Sequence, residues 1–280
     1  MRSSTGLKGP RRGWKRKIYL SSIPVILFTI ALILYVGLPV LALFARSSVD
    51  GFIDALSNPV VMDSLKLSLL TSAVATIIVV ALGTPVAYIN ARFRYPGLEL
   101  VDTIIDLPVV MPPAVAGIAL LVAFGRKGLI GQYLSTFGIT VAFTTVAVVM
   151  AQTFVASPFY IRQARTSFED VDRSCENAAR TLGASPLKTF FYVTVPIALN
   201  GLISGAILTW ARALGEFGAT ILFAGNLQGR TQTMPLAIYT AMESNLDTSV
   251  YISLILVAIS FAVITTIKLL SRRRVIHAQD

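Results

Sequence analysis

Apolar residues gather in six long stretches, at residues 18–44, 67–91, 103–124, 139–161, 195–214 and 250–267. About 20 apolar residues in helical form cross a bilayer core, so each stretch predicts a membrane-spanning helix with ends good to a few residues. The first carries no charge at all, and the third is interrupted by Pro108, Pro112 and Pro113. Between the fourth and fifth lies a polar but helix-shaped segment, residues 175–196, reading CENAARTLGASPLKTFFYVTVP.

Composition supports an all-α integral membrane protein. The chain of 280 residues is 55% hydrophobic, with a mean hydropathy of +0.73. Only 14% of it is charged, where soluble domains carry about a quarter. A single cysteine, Cys175, excludes an internal disulfide and any multi-cysteine zinc or iron–sulfur site. The one histidine, His277, stands in the C-terminal tail, so no metal chemistry is expected.

The net charge of +10 takes its meaning from where the cations lie. With a cytoplasmic N-terminus, the inner pieces hold eighteen Lys and Arg: seven in residues 1–17, Arg92 and Arg94, five between Arg162 and Lys188, and Lys268 with Arg272 to Arg274. The outer loops hold five, and Arg212 falls inside the fifth stretch. The positive-inside rule then places both termini in the cytoplasm. The basic tail at 1–17 is expected to anchor topology beside anionic lipid rather than bind nucleic acid, and the apolar run after it is too long for a signal peptide. The expected organisation is a basic tail at 1–17, a six-helix domain at 18–270 and a basic tail at 271–280.

On this topology the polar segment is cytoplasmic. Helical spacing puts Val171, Cys175, Ala178, Ala179 and Leu182 on one face and Asp172, Arg173, Glu176, Asn177 and Arg180 on the other. Glu176 and Arg180 form a favourable i,i+4 pair, and Gly183 stands where a helix ends with a left-handed residue. Ser185 and Pro186 then predict the N-cap and first turn of a second short helix that ends before Pro196. The unit is helix, glycine corner, helix. Composition alone leaves it open whether this is a docking element or a solvated loop.

The string Glu176-x-Ala178-Ala179-x-x-x-Gly183, followed by Val193-Thr194-Val195-Pro196, resembles the EAA motif of permease subunits of bacterial and archaeal ABC importers. Within that family the chain most resembles the molybdate/tungstate (ModB-like) group, with sulfate permeases nearby. LPVVMPPAVAGIALL (107–121), ARALGEFGATILFAGN (211–226) and TMPLAIYTAME (233–243) carry the likeness beyond the motif. Asn177, Val193 and Val195 depart from the commoner residues but conserve size. The resemblance implies a type I, MetI-like permease of six transmembrane helices, with a cytoplasmic coupling element at about 165–195. It also implies a second copy of the permease, a dimer of ATPase subunits that binds ATP and Mg, and an extracytoplasmic oxyanion-binding protein. Cys175, Glu176, Ala178, Ala179, Gly183 and Pro196 are then the residues expected to couple to the ATPase.

The chain has no G-x-x-x-x-G-K-[ST] phosphate loop, so it is not expected to bind ATP by that route or to be an enzyme. An ion-driven secondary transporter is the rival class, although no paired repeats with broken helices are traceable. Candidates for the pathway or its gate are Asp106, Pro112, Pro113, Arg212, Glu216 and Gly218, because intramembrane charges and helix breaks are costly and tend to be functional. Arg212 and Glu216, four residues apart, are either a mutually neutralised structural pair or, with Gly215 and Gly218, part of the outer route. Gly201-x-x-x-Gly205 offers close helix contact. With one cation inside the spans, recognition of the oxyanion is expected to rest with the binding protein, and molybdate or tungstate is favoured over sulfate by likeness alone.

Overall fold

The computed structural model describes residues 23–276, with side chains described for residues 24–267. The basic tail at 1–17, His277 and the last three residues lie outside this range. The chain divides into two compact units at Arg46 and Ser47. The first contributes one helix, α1 (Ile23–Arg46), which is apolar until Arg46 and contains Pro39.

In the second unit every regular element among the described residues is helical: α2 (Val49–Ser57), α3 (Pro59–Arg92), α4 (Leu98–Val110), α5 (Pro113–Phe124), α6 (Gly131–Thr136), α7 (Thr145–Glu169), α8 (Arg173–Thr181), α9 (Pro186–Thr189), α10 (Val195–Leu214), α11 (Gly218–Phe223), α12 (Met234–Ser244) and α13 (Leu246–Ile276). Four described helical segments are long and apolar enough to cross a membrane: Pro24–Arg46, Pro59–Arg92, Pro186–Leu214 and Leu246–Ile267. The pair α4 and α5, bent by 115°, adds a fifth if counted as one span.

Three expectations change here. The predicted third span is not one helix but two. Met111 and Pro112 each precede a proline, which pushes both into extended backbone (ψ 131° and 136°), and Pro113 then starts α5 at its first position. The predicted fourth span starts later and runs further toward its C-terminal end, as α7. It is long enough to cross but carries Gln152, Pro158, Arg162 and Arg165, and it is not apolar enough to count among the crossing helices. The packing gives the reason: α3, α4, α5, α10 and α11 all lie against α7, so much of its surface faces protein rather than lipid. Finally, the chain does not stop being helical before Pro196. A π-helical turn at Phe190–Thr194 joins α9 to α10, so the helix is continuous from Pro186 to Leu214. The wide turn accommodates Pro196, which lacks an N–H and crowds the carbonyl four residues back.

Small residues set how closely the helices approach. The buried face of α3 reads Ser64, Ser68, Ser72, Ala75, Val79, Gly83, Ala87 and Asn90, at steps of three or four that keep to one side. A Cβ on Gly83 would lie 3.0 Å from Tyr160 and Ile161 of α7, and the Thr84 and Tyr160 hydroxyls meet at 2.6 Å. On α10, a Cβ at Gly201 would fall 2.6 Å from Ser167 Cβ, and one at Gly205 would fall 3.1 Å from Gln163. The glycine pair therefore does seat α10 on α7, because without a Cβ the α10 backbone comes up against the side chains of Ser167, Gln163 and Tyr160. Ser68 contributes a further tie, its Oγ accepting the Met234 N–H at 2.7 Å at the start of α12.

Candidate coupling and pathway site

The polar segment folds as helix, corner, helix. Asp172 caps α8 by accepting the Ser174 N–H at 2.8 Å, and that bond holds its carboxyl below the usual carboxylate range. At the other end Gly183 has φ +87°. The Gly183 N–H donates to Arg180 O at 2.9 Å and the Ala184 N–H to Ala179 O at 3.0 Å, the paired bonds of a Schellman ending. Ser185 then caps α9, accepting from the Lys188 N–H at 3.4 Å. Cys175, Ala178 and Leu182 are exposed, Leu182 by 89%, and Ala179 is half-buried. The predicted small apolar stripe is thus on the surface, apart from Val171, which is buried against the spans.

Glu176 is the main departure. It does not pair with Arg180 on an outer face. It is the one residue of α8 that is buried, and its partner is Arg92 at the end of α3. Arg92 Nη2 and Nε donate to Glu176 Oε1 at 2.9 and 3.2 Å, and Thr194 Oγ1 donates to the same oxygen at 2.7 Å. Nη2 of Arg92 also reaches Val171 O at 3.1 Å. A carboxylate so enclosed is stabilised by charge-assisted bonds that offset its removal from water. The sequence marks Arg92 only as an inner cation and Thr194 only as part of the motif string, and assigns neither a bond to Glu176. The available signal was an arginine closing an apolar stretch, among the cations that the charge count assigns to the same side as the segment.

Of the pathway candidates, the structure brings Pro113 and Gly218 together. A Cβ on Gly218 would lie 2.4 Å from Pro113 Cβ, and one on Gly117 would lie 2.9 Å from Ala219 O, so the broken helix rests on α11 through residues without side chains. Pro112 and Pro113 are exposed at the bend, whereas Pro108 inside α4 is buried. Arg212 Nη1 and Glu216 Oε2 form an ion pair of 2.7 Å, and Glu216 Oε1 accepts the Ala219 N–H at 2.8 Å. Glu216 therefore joins the end of α10 to the first turn of α11. Asp106 pairs elsewhere, with Arg162 of α7. One turn away, Asp102 meets Arg165 at 2.6 Å and Arg165 meets Glu169 at 2.9 Å. These groups line a cavity of about 400 Å³ between α4 and α7. Sequence reasoning had counted Arg162 and Arg165 only as topology markers. Among the described residues, no three of His, Cys, Asp and Glu are grouped to hold a metal ion.

Comparison with known proteins agrees with this architecture. The family described as "Binding-protein-dependent transport system inner membrane component" matches residues 80–277. The molybdenum transport system permease protein ModB of Mycobacterium tuberculosis is 43% identical over 240 residues, covering 86% of this chain and 91% of that protein. ModB of Escherichia coli strain K12 is 41% identical over 203 residues, covering 72% and 89%. Among solved structures, a bacterial alginate ABC transporter in complex with an alginate pentasaccharide-bound periplasmic protein includes a chain that superposes with a TM-score of 0.73. That chain is 14% identical, and the match covers 89% of this chain and 93% of that one. The all-helical fold is that of ABC importer permeases, and this chain belongs to the family of binding-protein-dependent transport inner-membrane components.

Proposed function

We propose that this chain is the permease subunit of an ATP-driven importer for molybdate or tungstate. Two copies enclose the pathway, and each offers its α8 corner to an ATPase subunit that binds ATP and Mg. An extracytoplasmic binding protein delivers the oxyanion. The observation that carries the coupling role is the corner itself: a short helix with an exposed stripe of Cys175, Ala178 and Leu182, ended by a left-handed glycine and followed by a second capped helix. The substrate reading rests on likeness to the ModB permeases; among the described residues Arg162, Arg165 and Arg212 are each paired with a carboxylate. Asp106, Pro112, Pro113, Arg212, Glu216 and Gly218 remain the proposed pathway or gate residues.

Reconstitution tests this directly. Vesicles holding the permease with its ATPase subunit, ATP inside and the binding protein outside should accumulate molybdate and tungstate. Uptake driven by an ion gradient without ATP would overturn the reading. Sulfate uptake equal to that of molybdate at matched occupancy of the binding protein would move the substrate and leave the importer standing.

Orientation is checked separately. With both termini cytoplasmic, the exposed thiol of Cys175 should react with a membrane-impermeant maleimide in inside-out vesicles and stay unlabelled in intact cells. Labelling in intact cells would reverse the topology.

A further inference from the structure

We infer that Arg92 is a positioning residue which makes the cytoplasmic end of α3 and the helix α8 move as one body. The inference rests on the proposed role of α8 in docking an ATPase. A surface helix normally holds to its protein by several apolar side chains. In α8 the only buried residue is Glu176, and Cys175, Ala178 and Leu182 all face outward. The buried attachment of α8 to the spans is therefore the carboxylate of Glu176, beside a half-buried Ala179, and it takes three donors on one oxygen, two from Arg92 and one from Thr194. The side chains of Arg92 and Glu176 are 6% and 7% exposed, so separating them would strand two charges away from water. A second tie runs the other way, with Arg173 Nη2 donating to Arg92 O at 3.3 Å.

Along the chain α8 connects only to α7, through residues 170–172, and to α10, through α9. Arg92 adds α3, which lies 84 residues away in sequence. Helix α3 packs along α7 and α10 and, through Ser68, holds the start of α12. A displacement of α8 is thereby delivered to three long helices, α3, α7 and α10, and through Ser68 to the start of α12. Because the latch is a directional pair of charges rather than an apolar contact, it fixes the orientation of α8 as well as its position.

The test uses the full chain with its ATPase subunit. Arg92→Ala combined with Glu176→Ala removes both charges and leaves neither buried alone. Spin labels at Cys175 and at Arg94→Cys should give one narrow distance in the unmodified background and a broad distribution in the double variant. In the reconstituted complex, ATP hydrolysed per molybdate imported should rise about tenfold, within the usual range of coupling between sites. A role in folding alone would not move that ratio in a double variant that accumulates normally. An unchanged distance or an unchanged ratio overturns the inference. Should the double variant fail to accumulate, Thr194→Val removes one donor at nearly constant volume and is read by the same two measurements. If the unmodified complex shows no ATP-driven uptake, the proposed function fails instead, while the distance in the permease alone still reports on the latch.

Discussion

Gly183→Val is expected to leave the chain in the membrane and to weaken its docking to an ATPase subunit about ten- to hundredfold, abolishing ATP-driven uptake. The argument is conformational. At φ +87° a Cβ on Gly183 would meet nothing within 4 Å, so the substitution introduces no clash. What it introduces is a β-branched residue in the left-handed region, at a cost of about 1–3 kcal/mol. The corner can escape that strain by abandoning the Schellman bonds from Gly183 and Ala184, which swings α9 relative to α8. The spans are untouched. Gly183→Asn, which tolerates positive φ, should dock and transport nearly normally. Gly138→Val is the matched control, since Gly138 has φ +75° and equally open surroundings in the loop before α7. If the Gly138 variant loses uptake as fully as the Gly183 variant, strain in general and not the corner is responsible. Normal uptake in Gly183→Val would remove the corner from the coupling path.

The same corner shows what was legible in the sequence. Gly183, Ser185 and Pro186 declare their backbone roles locally, through left-handed φ, an N-cap oxygen and a missing N–H, and all three act as their identities predict. Apolar length likewise announced four of the six stretches, and a fifth if α4 and α5 count as one span, because crossing a bilayer is a property of composition. Glu176 was not legible. Periodicity assigned it to the polar face with Asp172 and Arg173, and it found Arg180 at the right spacing. The pair it makes is with Arg92, a contact between elements that no local period encodes. Asp106 and Arg162 escaped for the same reason. Pro196 illustrates a different limit, since local rules end a helix there, whereas the π turn at 190–194 lets it continue from Pro186 to Leu214. The proline run at 112–113 was visible as a break, but its 115° angle follows from two successive residues held extended, a joint effect rather than a property of either.

Glu216→Ala should be the most damaging single change among the pathway candidates, and the reason is its double engagement. One carboxylate oxygen balances Arg212 and the other accepts the Ala219 N–H, with the side chain only 2% exposed. Losing it orphans a buried N–H and a guanidinium together. Breaking a buried pair costs about 3–5 kcal/mol, and the low end applies because Arg212 keeps 29% of its side-chain surface exposed. Accumulation in the membrane and the unfolding temperature in detergent should both fall. Glu216→Gln keeps an acceptor for Ala219 and should lose about half as much, in line with a net hydrogen-bond contribution of ~1.5–3 kcal/mol where one partner is charged. The decisive variant is Arg212→Met with Glu216→Gln, which removes the charge from both sides. A pair that serves to brace α10 against α11 should then be replaceable, with accumulation and molybdate uptake both recovering. A double variant that accumulates normally and does not transport would instead make the two charges part of the route the ion takes.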